Sequence, residues 1–288
     1  MDLIYLVSFN VLTGIATLVL ITIGLSVIYG MMRIINLAHG EFMMLGAYAA
    51  AVASDAGINI WIAILIVPPL VVTLIGLVLE RTIIRFLYGR MIDTMLATWG
   101  ISLGLMGLVT TLFGNVIRAV PTPVGSIPIG SYSASGYSLV LVCASILLLV
   151  ALSLLLQRTS FGLVLRATMQ NPRMAASLGI HPPTVFMSTF AFGAGLAGLA
   201  GGLLSPISGV SPSMGVAYVA RAFITVLGGG PAIVTGTGLA ATLFGFINEV
   251  ASFLYTPVIG EVALLVAAIV LIRNLPQGIT GRYFRSGL

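Results

Sequence analysis

Charged residues are so sparse along this chain that they cut it into long uncharged runs. Six of these exceed twenty residues: 3 to 32, 56 to 79, 94 to 117, 119 to 157, 174 to 220 and 222 to 248. About 20 apolar residues, each rising about 1.5 Å, cross the ~30 Å hydrocarbon core of a bilayer, so each run is long enough to span one. The 288 residues are 59% apolar and 7% charged, whereas a soluble globular domain carries ~25% charged residues. The sequence therefore excludes an ordinary soluble domain. It predicts an all-α, polytopic integral membrane protein, one transmembrane domain over 1–288, with about 8 spanning segments in a range of 7 to 9.

Two absences narrow the chemistry. All twelve basic residues are arginine, so the chain has no lysine for a Walker A phosphate loop, and any ATP hydrolysis has to come from another chain. One cysteine (Cys143) and two histidines (His39 and His181), without HExxH or CxxC spacing, predict no metal site and no bound cofactor. No GxSxG, HExxH or paired-aspartate motif marks a catalytic residue. The net charge of +5 is scattered between apolar runs, so it is no nucleic-acid footprint.

Lysine and arginine near span ends stay on the cytoplasmic side. Ten arginines form four groups: Arg33; Arg81, Arg85 and Arg90; Arg158, Arg166 and Arg173; and Arg273, Arg282 and Arg285. With these inside, Arg118 and Arg221 are left outside with Asp2 and Asp55, the N-terminus is outside and the C-terminus cytoplasmic. The residue before the first apolar run is Asp2, which argues against a cleavable signal peptide. The expected spans are 8–30, 36–54, 60–80, 93–114, 137–157 and 184–205, after which 218–273 has to cross an odd number of times. Helix propensity collapses at Gly228, Gly229, Gly230 and Pro231, so broken or re-entrant helices are expected there, lining a path. The outer stretch 115–136, rich in Pro, Gly and Ser, predicts surface turns.

The densest polar cluster near the membrane holds Asn36, His39 and Glu41. A carboxylate at the bilayer centre costs ~3 kcal/mol or more, so Glu41 either joins an interfacial network with Arg33 or faces a polar path or gate. Glu249, beside Asn248, offers the same alternatives. In 193–202, Gly193, Ala197 and Gly201 share one helical face, and Ala194, Gly198 and Gly202 lie beside it. Small residues four apart let helix backbones approach in lipid, so this segment predicts a buried packing helix.

Between Arg158 and Pro183, Phe161 and Leu165 pair at i,i+4, as do Val164 and Thr168, predicting a helix over 161–169 with one apolar stripe. Asn171 before Pro172 reads as an N-cap with proline at the first position, and Gly179 as the stop of a second helix. The product is a two-helix elbow, either an interfacial loop or a docking surface for a soluble partner.

The run GLSVIYGMMRIINLAHGEFMMLGAY (24–48) closely resembles the first signature of the permease subunits of branched-chain amino acid ABC importers of the LivH type. The likeness continues in MLATWGISL (95–103), RATMQNPRMAASLGI (166–180), SPISGVSPSMG (205–215) and AFITVLGGG (222–230). It departs where Gly230-Pro231-Ala-Ile replaces the family's short glycine-containing turn, and ATWGISL is also similar to permeases of urea and short-chain amide importers. The resemblance implies a single transmembrane permease domain in a bacterial cytoplasmic (inner) membrane. It implies as partners a second permease subunit, two cytoplasmic ATP-binding-cassette subunits and a periplasmic or extracellular solute-binding protein. It further implies that 158–183 is the cytoplasmic coupling loop, shaped by Gly162, Leu165, Arg166, Ala167, Asn171, Ala175 and Gly179. The rival from another class is an ion-coupled secondary transporter in which Glu41 or Glu249 titrates, a scheme that gives the elbow no task.

Overall fold

The computed structural model describes residues 2–129 and 132–281; Arg282 and Arg285 of the last arginine group lie outside the described residues, as do Gly130 and Ser131 of the long outer stretch. Twelve α-helices are present among the described residues: α1 (Asp2–Met32), α2 (His39–Asp55), α3 (Ile60–Leu65), α4 (Val67–Thr82), α5 (Met91–Phe113), α6 (Tyr137–Arg158), α7 (Ser160–Gln170), α8 (Pro172–Ser177), α9 (Pro182–Ser208), α10 (Met214–Gly229), α11 (Ile233–Leu254) and α12 (Pro257–Asn274). Seven stretches are long and apolar enough to cross a membrane: α1, α3 with α4, α5, α6, α9, α11 and α12. The chain is a polytopic helical membrane protein.

Three expectations need correction. The span drawn as 36–54 begins later, because residues 33–38 are unwound and α2 starts at His39. The span drawn as 60–80 is one crossing stretch made of two helices rather than one, since Pro68 and Pro69 occupy the start of α4, where a proline's missing N–H costs nothing but continuing the preceding helix would clash. The outer stretch is more than turns: β1 (Ser126–Ile129) and β2 (Tyr132–Ser135) form an antiparallel hairpin, Ser126 opposite Ser135. Pro128 is tolerated because each strand of a two-stranded ribbon has a free edge.

Two compact units are distinguishable by their internal packing. The larger comprises Ile23–Pro121 and Val150–Ala220, the smaller Met1–Thr22, Thr122–Leu149 and Arg221–Leu288. In the larger unit α9 is the buried axis, and its small residues are where other backbones touch it. A Cβ on Gly201 would sit 1.8 Å from the Met43 carbonyl oxygen, one on Gly46 2.2 Å from the Gly198 oxygen, and one on Gly202 2.6 Å from the Ile64 oxygen. Gly24 packs the same way on Gly193 and Ala197. Real Cβ atoms cannot approach so closely, so glycine here fixes which helices meet.

The ends of the larger unit differ. At one end Arg118 exchanges two backbone hydrogen bonds with Val210 (2.9 and 2.8 Å), and its guanidinium lies 3.5 Å from Asp55. At the other, Tyr88 donates a hydrogen bond to the buried Glu80, and its ring meets Phe186 of α9 at 5.2 Å, just after the elbow. Burial and then the Glu80 carboxylate push the Tyr88 hydroxyl far up, so it stays protonated. Arg81, Arg85 and Arg90 thus share an end with the elbow arginines, and Arg118 stands at the opposite one.

The segment 218–273 holds α11, α12 and most of α10, and of these α11 and α12 are long and apolar enough to cross. α10 has 16 residues, about 24 Å at a helical rise, short of a full crossing. α11 and α12 form a hairpin whose turn is capped by Thr256, which accepts from the Ile259 N–H at 3.3 Å. Gly245 of α11 packs against Ile15 of α1.

Candidate functional site

The most polar interior of the larger unit lies where α1 gives way to α2. After Met32, Arg33 adopts a φ of 52°, alone among the described non-glycine residues, and reverses the chain. Its side chain is exposed and forms no ion pair with Glu41 among the described residues, so the expected Arg33 network is not what holds this turn. A Cβ on Gly24 would lie 3.3 Å from the His39 ring. α2 therefore starts alongside Gly24, eight residues or about 12 Å before the end of α1, and 33–38 doubles back into the unit.

The unwound backbone is held by hydroxyls from α5. Thr98 accepts from the Leu37 N–H at 3.1 Å, and its oxygen lies 3.3 Å from the Ile35 carbonyl. Asn36 closes a local turn by accepting from the Ala38 N–H at 3.1 Å. Ser102 of α5 stands beside the Glu41 carboxylate. Asn36, His39 and Glu41 are all buried. Yet Asn36 Nδ2 and Glu41 Oε2 find no hydrogen-bond partner among the described residues, which costs ~1–3 kcal/mol per group. A polar partner from outside the chain, water or solute, would remove that cost.

Three of the signature runs meet here. The first supplies the re-entry, the second carries Thr98 and Ser102, and the fourth places Gly215, whose Cβ would lie 2.5 Å from the Gly40 carbonyl carbon. Thr98 and Ser102 went unread as site residues because a hydroxyl in an apolar helix gives no sign of what it faces; their place inside the second run was the available signal.

The break at Gly228, Gly229 and Gly230 is built differently. Gly229 packs on Gly236, and Gly230 takes a φ of +83°. The carbonyl oxygens of Gly228 and Gly229 accept from the N–H groups of Ile279 (2.8 Å) and Thr280 (3.2 Å), and the Thr280 hydroxyl donates to Gly229 at 2.6 Å. These residues are tied to a turn about fifty positions later in the chain; Thr280 gave no local sign in the sequence.

The elbow follows its caps. Thr159 accepts from the Gly162 N–H (3.1 Å) to start α7, Asn171 accepts from Met174 (3.0 Å) to start α8, and Gly179 at φ +86° ends it. A Cβ on Gly162 would lie 2.3 Å from the Leu156 carbonyl oxygen, so α7 lies directly on the end of α6. Leu165, 2% exposed, faces inward with Thr168 and Ala175. Arg166 and Ala167 are half-buried and Asn171 exposed. The outward apolar groups are Phe161, at the start of the stripe, with Leu163, Met174 and Leu178, the last 76% exposed. From Leu165 on, the i,i+4 stripe is seated on the chain itself, and a partner would meet the exposed groups.

In the smaller unit Glu249 lies over Gly14, where a Cβ would come within 2.4 Å of it. It lines a pocket of about 180 Å³ with Asn10, Thr13, Thr17, Arg221 and Asn248. Arg221 is ion-paired to Glu261 of α12. No group of three or more His, Cys, Asp or Glu residues suited to a metal occurs among the described residues.

Known proteins bear on this geometry. Residues 7–275 match the family described as the permease component of the branched-chain amino acid transport system. BraD, a high-affinity branched-chain amino acid transport system permease protein of Pseudomonas aeruginosa, is 29% identical over 95% of this chain and 94% of its own. LivH of Escherichia coli, of the same description, is 27% identical over the same shares, and a probable LivH of Methanocaldococcus jannaschii is 27% identical over 92% of this chain and 88% of its own. No solved structure matches. With its membrane-spanning helices and a match over nearly its whole length, the chain is a multi-pass inner-membrane protein that belongs to the family of branched-chain amino acid transport permease components.

Proposed function

We propose that this chain is the membrane path of an ATP-binding-cassette importer of branched-chain amino acids, with hydrolysis in separate cytoplasmic subunits. The observation that carries this is the buried re-entry at 33–41, a polar, partly unpartnered stretch inside an otherwise apolar helical unit. Intramembrane polar groups of this kind mark solute paths, and irregular backbone at depth is tolerated where it lines one. The solute class follows from the names of relatives aligned over nearly the full chain. Arginine placement supports an outer N-terminus and a cytoplasmic C-terminus. The elbow end then faces the cytoplasm, where α7 and α8 seat the ATPase, while a second permease subunit and an external solute-binding protein complete the assembly.

The elbow provides the test. Leu178→Glu puts a charge on the outward apolar face without entering the packing of the chain. Normal insertion and yield are expected, together with loss of ATPase co-purification and of ATP-dependent leucine uptake in proteoliposomes. Full uptake by this variant would remove the docking role. Leu165→Glu is a different experiment, since it buries an unpaired carboxylate and is expected to lower the yield of folded protein.

A further inference from the structure

We propose that the pocket among α1, α10, α11 and α12 of the smaller unit receives the head group of a free α-amino acid, Arg221 taking the carboxylate and Glu249 the ammonium. It deepens the import reading given above and rests on it.

Charge is the first reason. A purely structural ion pair would bring Glu249 onto Arg221, yet Arg221 is paired with Glu261, and no ion pair joins it to Glu249 among the described residues. Glu249 feels Arg221 only as a charge across the pocket and has no ion pair of its own among the described residues, which makes it a complement for a cation. The arginine keeps directional donors, because a guanidinium carries five N–H groups and binds carboxylates in preference to point anions.

Shape is the second reason. Gly14 has no side chain, and the space that a Cβ would take is held by Glu249, so the carboxylate rests against helix α1 and leaves the pocket open. Asn10, Thr13 and Asn248 add neutral hydrogen-bonding groups, and the buried Leu18 and Leu264 supply an apolar wall. Opposite charges beside an apolar wall suit a zwitterion with a hydrocarbon side chain. A phospholipid ammonium headgroup shares part of that chemistry, so the experiment has to separate the two.

The complete transporter, purified through this chain with Cys143→Ser and Val7→Cys, is placed in nanodiscs made with and without phosphatidylethanolamine, and a charged methanethiosulfonate labels residue 7, which lies beside Asn10 and Glu249. L-leucine should slow labelling severalfold in either lipid. 4-Methylpentanoate, which lacks the ammonium, and 3-methylbutylamine, which lacks the carboxylate, should not. Glu249→Gln, which keeps the side-chain shape, should weaken leucine protection about tenfold, the worth of one charge-assisted contact. Labelling indifferent to leucine, equal protection by 4-methylpentanoate, or protection that follows phosphatidylethanolamine alone would each overturn the assignment. Leucine uptake is measured on the same preparation. Uptake without protection overturns the pocket and leaves the import function standing, whereas protection without uptake supports the pocket and counts against import.

Discussion

Two of the glycine-flanked breaks between helices, at 33–38 and 228–231, are opposites. At 33–38 the backbone unwinds among buried side chains and leaves Asn36 Nδ2 and Glu41 Oε2 without partners. At 228–231 the carbonyls freed by the helix end are taken up by Ile279 and Thr280. Buried polar groups in proteins are almost always satisfied, so the satisfied break reads as architecture and the unsatisfied one as a place for something the chain does not supply. A glycine break alone is therefore a poor guide to a transport path. What its polar atoms do afterwards is the better one.

The comparison breaks most completely if the frame around the re-entry is removed. Gly201→Leu drives a side chain into the Met43 carbonyl, and loss of nearly all monodisperse protein in detergent is expected. Gly104→Leu on α5, where a Cβ meets nothing within 4 Å, is the matched control and should leave yield unchanged. A smaller effect should follow Thr280→Val, which removes the hydroxyl that donates to Gly229 and accepts from the Ala232 N–H at 3.3 Å. Leaving such groups unpaired costs ~1–3 kcal/mol each, so the melting temperature should fall while uptake per folded complex is retained. Glu41→Gln should do the reverse: stability changed by less than ~1 kcal/mol, because Oε2 has no partner to lose, and leucine uptake strongly reduced. If Glu41→Gln transports normally and Thr280→Val does not, the functional and structural breaks have been assigned the wrong way round.

What the sequence made legible was local. The elbow could be read residue by residue because Thr159, Asn171 with Pro172, and Gly179 act on backbone groups within a few positions of themselves. The small-residue face of α9 was equally plain, since a four-residue spacing defines a helical face. Direction was the first thing lost: the i,i+4 stripe through Leu165 was correct as a stripe, but a pattern does not say whether the chain or a partner covers it. Partners distant in sequence were lost altogether. Nothing near Thr98 indicates that it holds Leu37, 61 positions away, and nothing near Arg221 indicates Glu261, 40 positions on. The split between α3 and α4 was visible in Pro68 and Pro69, but their apolar surroundings masked it.

The latch on the second break also sets a schedule. The carbonyl of Gly229 waits for a hydroxyl 51 positions later in the chain. At a synthesis rate of ~5–20 residues per second, the end of α10 leaves the ribosome roughly 3 to 10 s before the group that closes it. For that interval the carbonyls at the junction of α10 and α11 lack the groups that hold them in the folded chain. A nascent chain stalled before residue 277 should therefore be more readily cleaved at this junction than one released past residue 281.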